Sequence, residues 1–318
     1  MATQQMTGLQ NKAGMGSFTG TAKSSWLRRL SRLGLLEMIV LIGVLLYFLM
    51  TILPLFLAFA FSLTNQNLLY KTSDFIGIDN YVDLLDDKSF TRSLWLTTRL
   101  SILVTLAANL GGLLIALMLN VQDRFHSVLR TVFFVPQILS AVIVSFIWRI
   151  ILVDRGLLNA FLLQIGLIDK PIHWLGDPQM AFLAIVIVVT WQLLGFCTVI
   201  YLASLQGIPK DLVEAASIDG ANRWQQFRNV TWPLLAPGVT INMVLLLIMT
   251  FKLYDQVAVL TGGGPGGRTE TLSYYIVRIA FNGNQLGYAS AMAVVLFVAT
   301  AVISGVVVSR LKGREIEY

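Results

Sequence analysis

The chain has 318 residues, of which 56% are hydrophobic and only 13% charged, with a mean hydropathy of +0.73. A water-soluble domain carries roughly 25% charged residues, so this composition excludes a water-facing surface and places the chain in a bilayer. The formal net charge of +6 does not read as a nucleic-acid groove, because the basic residues are scattered between apolar segments rather than clustered with aromatics on one face. One cysteine, Cys197, rules out an intrachain disulfide framework.

In chain order, roughly the first 25 residues are polar and lack apolar periodicity, and residues 1–34 read as a disordered cytoplasmic tail. The first apolar run begins too late and is too long for a cleaved signal sequence, so an uncleaved span is expected. About 20 apolar residues cross a hydrocarbon core, and six segments reach that length: 35–63, 94–119, 131–153, 180–205, 239–260 and 289–309. Pro54 is expected to kink the first. With the N-terminus inside, 13 Lys and Arg fall in inner flanks and 7 in outer loops. That bias places both termini, including the short tail 311–318, in the cytoplasm. The first outer loop carries Asp74, Asp79, Asp83, Asp86 and Asp87, which fits either a solvated amphipathic helix or a landing surface for an extracytoplasmic protein. The second, 154–179, mixes Leu and Trp with Gly and Pro and reads as a folded cap.

Between the fourth and fifth segments lies a polar island, 207–238. Pro209-Lys210-Asp211 makes a helix start, and Asp219-Gly220 makes a stop, which predicts a helix of about two turns. Ala215 and Ala216 keep one face slim enough for close approach of a partner. Gly220 then allows a sharp turn into a second short helix through Trp224 and Phe227, and Pro233 and Pro237 return the chain to the membrane.

The string Glu214-Ala215-Ala216, then Asp219-Gly220-Ala221, then Trp224-Gln225-Gln226-Phe227 and Pro233-Leu234-Leu235-Ala236-Pro237 resembles the EAA loop of importer permeases in the ATP-binding-cassette (ABC) class. Phe75-Ile76-Gly77-Ile78-Asp79-Asn80-Tyr81 resembles that family's first external loop, and Arg130-Thr131-Val132-Phe133-Phe134-Val135-Pro136 the start of its third helix. Thr261-Gly262-Gly263-Gly264-Pro265, followed by Thr271-Leu272-Ser273-Tyr274-Tyr275-Ile276, resembles the loop after its fifth. The likeness covers about residues 35–310 and points to the maltose, lactose and glycerol-phosphate group. It implies an all-α type I permease with six spans, working by alternating access on sugars or polyols in a bacterial or archaeal inner membrane. It also implies a second permease subunit, two ATPase subunits and an extracytoplasmic binding protein as partners. ATP and magnesium would sit on the ATPases, and this chain would bind no cofactor. Carried over by position, Glu214, Ala215, Ala216, Asp219 and Gly220 would seat in the ATPase, Glu214 as charged anchor and Gly220 as hinge.

Gly262 to Thr269 also fits a phosphate-binding loop with Arg268 in place of lysine. Such a loop needs a strand before it and a helix after it, whereas this one follows a membrane span on the outer side. For the substrate path, Trp191 and Gln192 in the fourth span and Asn242, Thr250 and Tyr254 in the fifth supply groups that stack on and hydrogen-bond to hydroxylated cargo. The resemblance implies a path lined from these two helices. Lys252 and Asp255, at i and i+3, are expected to pair on one helix face. Arg99 and Arg149, near outer span ends, are expected to snorkel. His126 and His173 lie too far apart in sequence to read as a site, and no catalytic cluster is evident. The rival reading is an ion-coupled secondary transporter. Its broken helices or several midplane acids are not apparent in the sequence, where Glu37 and Asp255 alone lie deep in apolar runs.

Overall fold

The computed structural model describes residues 34–70, 73–121 and 123–313. The expected N-terminal tail thus lies outside the described residues apart from Gly34. Chain contacts divide the protein into two units, 1–56 and 57–318. The described part of the first unit is helix α1 (Leu35–Tyr47), a π-turn (Phe48–Ile52) and the opening of α2 (Leu53–Ser62). Pro54 has no N–H to give the Met50 carbonyl, and the disturbance expected there takes the form of this widened turn, closed by Leu53 N–H on the Phe48 carbonyl.

In the second unit the chain continues as α3 (Asp79–Asp86), α4 (Lys88–Leu119), α5 (Arg124–Ile138), α6 (Ala141–Leu152), α7 (Leu157–Gln164) and α8 (Pro178–Gln206). There follow α9 (Lys210–Ile218), α10 (Arg223–Gln226), a π-turn (Phe227–Thr231) and α11 (Trp232–Leu234). The last elements are α12 (Ala236–Phe251), α13 (Asp255–Leu260), α14 (Leu272–Val277), a π-turn (Arg278–Asn282) and α15 (Leu286–Lys312). Four helical stretches are long and apolar enough to cross a membrane, and six if each of two bent pairs counts as one span. Among the described residues β-structure is limited to two isolated bridges, Thr64–Phe75 and Asn67–Gln285.

Helices α4 and α8 form the centre. They approach closely because small residues face each other: a Cβ on Gly112 would collide with Cys197, and one on Gly195 would collide with the Phe133 carbonyl of α5. Apolar tails dissolve in lipid as readily as in protein, so close packing and interhelical hydrogen bonds hold such bundles together. Here the buried Tyr201 hydroxyl donates to Asn109 Oδ1 across 2.7 Å, from α8 to α4. The loop 154–179 is folded rather than a loose strap, as expected. Asn159 is its hub, donating to the Asp154 and Ile172 carbonyls and accepting from Ile172 N–H and the Trp174 indole.

Two sequence expectations need correcting. The segment 131–153 is not one straight helix: it breaks at Leu139 and Ser140, both extended, with a 95° bend between Arg124–Ile138 and Ala141–Gln164. Pro136, one turn before the break, removes a helical donor from the end of α5. The segment 239–260 also breaks, at 252–254, between α12 and α13. At the end of the chain, α15 runs on to Lys312 and takes in part of the expected tail; residues 314–318 lie outside the described residues.

Candidate functional site: the loop helix and the broken span

Ile208 is buried and anchors the start of the polar island, while no residue of α9 is buried. The helix end is built by its sequence. Gly220 takes φ +80°, Ala221 N–H bonds the Ala216 carbonyl, and Gly220 N–H bonds the Ser217 carbonyl. This is the two-bond Schellman cap, whose left-handed residue is most readily glycine. The next helix starts at once: Asn222 accepts from Gln225 N–H at 2.9 Å, and Gln225 accepts from Asn222 N–H at 2.8 Å, a reciprocal box that satisfies two free donors. Trp224 stacks on Phe227, with ring centroids 5.7 Å apart.

The outcome is a rigid pair of short helices with Leu212, Ile218 and Trp224 left exposed, Ile218 at 87%. Ala215 is exposed, Ala216 half-buried, and Glu214, Asp219 and Gly220 are exposed around the same turn. Glu214 lines a groove of about 630 Å³ with Asn120, Gln206, Lys210 and Thr231. Arg130 secures the facing loop by donating to the Leu119 and Val121 carbonyls. Beside it, Asp123 caps α5; the His126 N–H and imidazole hold its carboxyl below the ordinary range.

The intramembrane residues separate into two groups. Asn242 and Thr250 are fully buried within the chain: Thr250 donates back to the Leu246 carbonyl, and Asn242 reaches the Cys197 carbonyl at 3.4 Å. The others gather at the helix breaks. Gln192 donates to the Leu139 carbonyl, freed by the break in the third segment, and accepts from Gln256 at 3.1 Å. Trp191 meets Trp148 edge-on at 5.6 Å, and Tyr254 stacks on Tyr274 at 5.8 Å. Gln256 was missed in the sequence, although an amide one residue after Asp255 in an apolar run is itself a signal.

Lys252 and Asp255 do not share a helix face. Lys252 ends α12, Asp255 opens α13, and no ion pair joins them among the described residues. The expectation assumed an unbroken helix; instead the chain unwinds between them. Arg99 does more than snorkel, since its guanidinium lies over the Phe182 ring, 4.7 Å from the centroid. Arg149 donates to the Val259 carbonyl.

A broken helix within a membrane survives only if its freed backbone groups find partners. The segment after α13 supplies them: Thr271 donates to the Leu253 carbonyl at 2.8 Å and Ser273 to the Phe251 carbonyl at 3.2 Å. In turn Leu272 N–H donates to Thr97 on α4. The glycine-rich stretch before it has no preceding strand and turns through left-handed backbone at Gly262, Gly263, Gly266 and Gly267.

Residues 108–312 match the family described as "Binding-protein-dependent transport system inner membrane component". The chain belongs to that family. This permease is 35% identical over 288 residues to the trehalose/maltose transport system permease protein MalF of Thermococcus litoralis, covering 90% of this chain and 95% of that one. It is 35% identical over 266 residues to the probable starch degradation products transport system permease protein AmyD of Thermoanaerobacterium thermosulfurigenes, covering 84% and 90%. Its fold matches a bacterial ABC transporter that imports the acidic polysaccharide alginate, with a TM-score of 0.76 at 24% identity over 91% of this chain and 99% of that one. A second structure of an alginate transporter, in complex with an alginate pentasaccharide-bound periplasmic protein, gives 0.72 at 25% identity, covering 90% and 93%. The permease is thus the membrane component of an ABC importer, with the type I fold and no ATPase of its own.

Proposed function

We propose that this permease imports sugars or polyols by alternating access, in complex with a second permease subunit, two ATPase subunits and an extracytoplasmic binding protein. It would lie in a bacterial or archaeal inner membrane with both termini cytoplasmic, as the 13-to-7 distribution of Lys and Arg favours. ATP and magnesium would be held by the ATPases. The observation that carries the reading is α9, a helix capped at its end by Gly220 with no residue buried in its own chain; a membrane protein that rigidifies such a helix is presenting it. Glu214 is the charged anchor, Ala215 and Ala216 form the slim face, and Asp219 and Gly220 fix the turn that makes the pair of helices one lever. The names of the sugar permeases it resembles support the cargo class.

Motion of that lever would reach the cargo path through the helix breaks. Gln192, Gln256, Trp191 and Tyr254 offer amides and aromatic faces there, and Lys252 and Asp255 flank the unwound turn. Asn242 and Thr250 would position α12 behind them. Uptake into proteoliposomes, with the chain co-expressed with its genomic neighbours, tests the proposal. Sugar accumulation should need ATP inside and binding protein outside, and Glu214→Lys should abolish it. Transport on an ion gradient alone, without any ATPase, would overturn it.

A further inference from the structure

Helices α4 and α8 are 32 and 29 residues long, or about 45 Å at 1.5 Å per residue. Their C-terminal ends border the Glu214 groove, and their N-terminal ends border a different cavity of about 510 Å³. Arg92 and Arg99 of α4 and Arg268 of the glycine-rich loop line it, with Trp95, Gln179 and Phe182. Arg92, Trp95 and Arg99 recur at i, i+3 and i+7, along one helix face. Arg268 arrives from a segment far away in sequence, held by left-handed glycines and by the Thr269 and Thr271 hydroxyls.

No acidic residue lines this cavity. Among the described residues, ion pairs within 4.0 Å involve His126, His173 and Arg278, and none of these three arginines. Asp177, next to the cavity wall in sequence, is committed to capping α8 through the N–H groups of Gln179 and Met180. Three guanidiniums from two elements therefore line one cavity whose wall holds no carboxylate, a surface of positive potential to which an anion is drawn. Guanidinium forks match the paired oxygens of carboxylate and phosphate. Arg99 is steadied by the Phe182 ring, and Trp95, 68% exposed, offers a flat apolar face to whatever carries the charge.

We propose that this cavity is an oxyanion site, taking a carboxylate or phosphate borne either by a small polyhydroxy solute or by a lipid headgroup. If the anion rides on cargo, the site deepens the sugar-import reading and rests on it; anion binding as such does not.

The test uses the full-length chain. In phosphatidylcholine nanodiscs it is titrated calorimetrically with glucuronate, glucose 6-phosphate and neutral glucose. In detergent, native mass spectrometry compares retention of phosphatidylglycerol with that of phosphatidylcholine. At least one anionic probe should bind in preference to its neutral counterpart. That binding should weaken about tenfold or more in Arg92→Gln/Arg268→Gln, and it should also weaken in about 0.5 M salt. Arg268→Ala alone, a change in an exposed loop, serves if the double variant does not fold. Binding of the soluble anions alone assigns the site to solute, and binding of phosphatidylglycerol alone assigns it to the headgroup. No preference for anions in either arm, or undiminished binding by folded variants, overturns the proposal. Failure of the importer reading would show elsewhere, in ATP-dependent uptake and its response to Glu214→Lys.

Discussion

The side-chain amide of Gln192 bridges two broken spans: it donates to the Leu139 carbonyl at 3.2 Å and accepts from Gln256 at 3.1 Å. Gln192 is 5% exposed, so water does not readily replace either partner. Gln192→Leu fills similar space but frees the Leu139 carbonyl and the Gln256 amide. Interhelical hydrogen bonds in membranes contribute about 0.6–2 kcal/mol each, so a loss of about 1–3 kcal/mol is expected. Thermal unfolding of the detergent-solubilised chain should show it, and Gln256→Leu in the same background should add little.

Gly195 packs against the α5 backbone, where a Cβ would meet the Phe133 carbonyl, whereas Gly305 has nothing within 4 Å. Gly195→Ala must move backbone and should cost at least about 1–3 kcal/mol, the usual range for overpacking. Gly305→Ala should leave the melting temperature of the isolated chain unchanged or slightly raised. Equal effects of the two would mean that the α5–α8 contact is looser than the structure has it.

At Gly220 space is not the constraint, since nothing lies within 4 Å of the added Cβ; the φ of +80° is. Left-handed backbone costs an ordinary L-residue about 1–2 kcal/mol, and a β-branched one more. Gly220→Val should loosen the C-terminal end of α9 and depress ATP-coupled uptake, while Gly220→Asn should be largely tolerated. Hydrogen exchange at Gly220 and Ala221 would report the cap directly.

Asp87 holds the N-terminus of α4 with Oδ1 and accepts the Tyr275 and Tyr288 hydroxyls with Oδ2. Burial alone would raise its pKa, but hydrogen bonds from Tyr275, Phe90 N–H, Tyr288 and Ser89 N–H outweigh it and hold the carboxyl below its usual 3.8. A lowered folded value means stability that is complete above the unfolded pKa and is lost as pH falls through the folded one. Asp87→Asn should therefore be less stable near neutral pH and show a shallower decline on acidification below about pH 4. Unfolding midpoints across that range distinguish the two.

Lys252 and Asp255 provide a control for the broken helix. With the chain unwound between them, a Lys252→Met and Asp255→Asn double-mutant cycle should give a coupling within about 0.5 kcal/mol. A paired geometry on one face would give more.

Much of this protein was legible without coordinates because the signals are local. Apolar content over about 20 residues dictates a span, and Pro209-Lys210-Asp211 with Asp219-Gly220 dictates where the island's first helix starts and stops. The island around Glu214 therefore came out of the sequence with its helix and its turn. The breaks did not. Pro136 and the polar run Lys252 to Gln256 mark their neighbourhoods, but a helix can stay open at 139–140 and 252–254 only because Gln192, Thr271 and Ser273 reach the freed carbonyls from distant segments. The same holds for the supposed Lys252–Asp255 pair, which local spacing favoured and the break removed, and for the convergence of Arg268 with Arg92 and Arg99. The sequence by itself determined the solvent, the helices and the caps, whose energies are settled within a few turns of chain. Only the tertiary structure decided which backbone groups could be left open in an apolar medium, because their partners are donors brought from far along the chain.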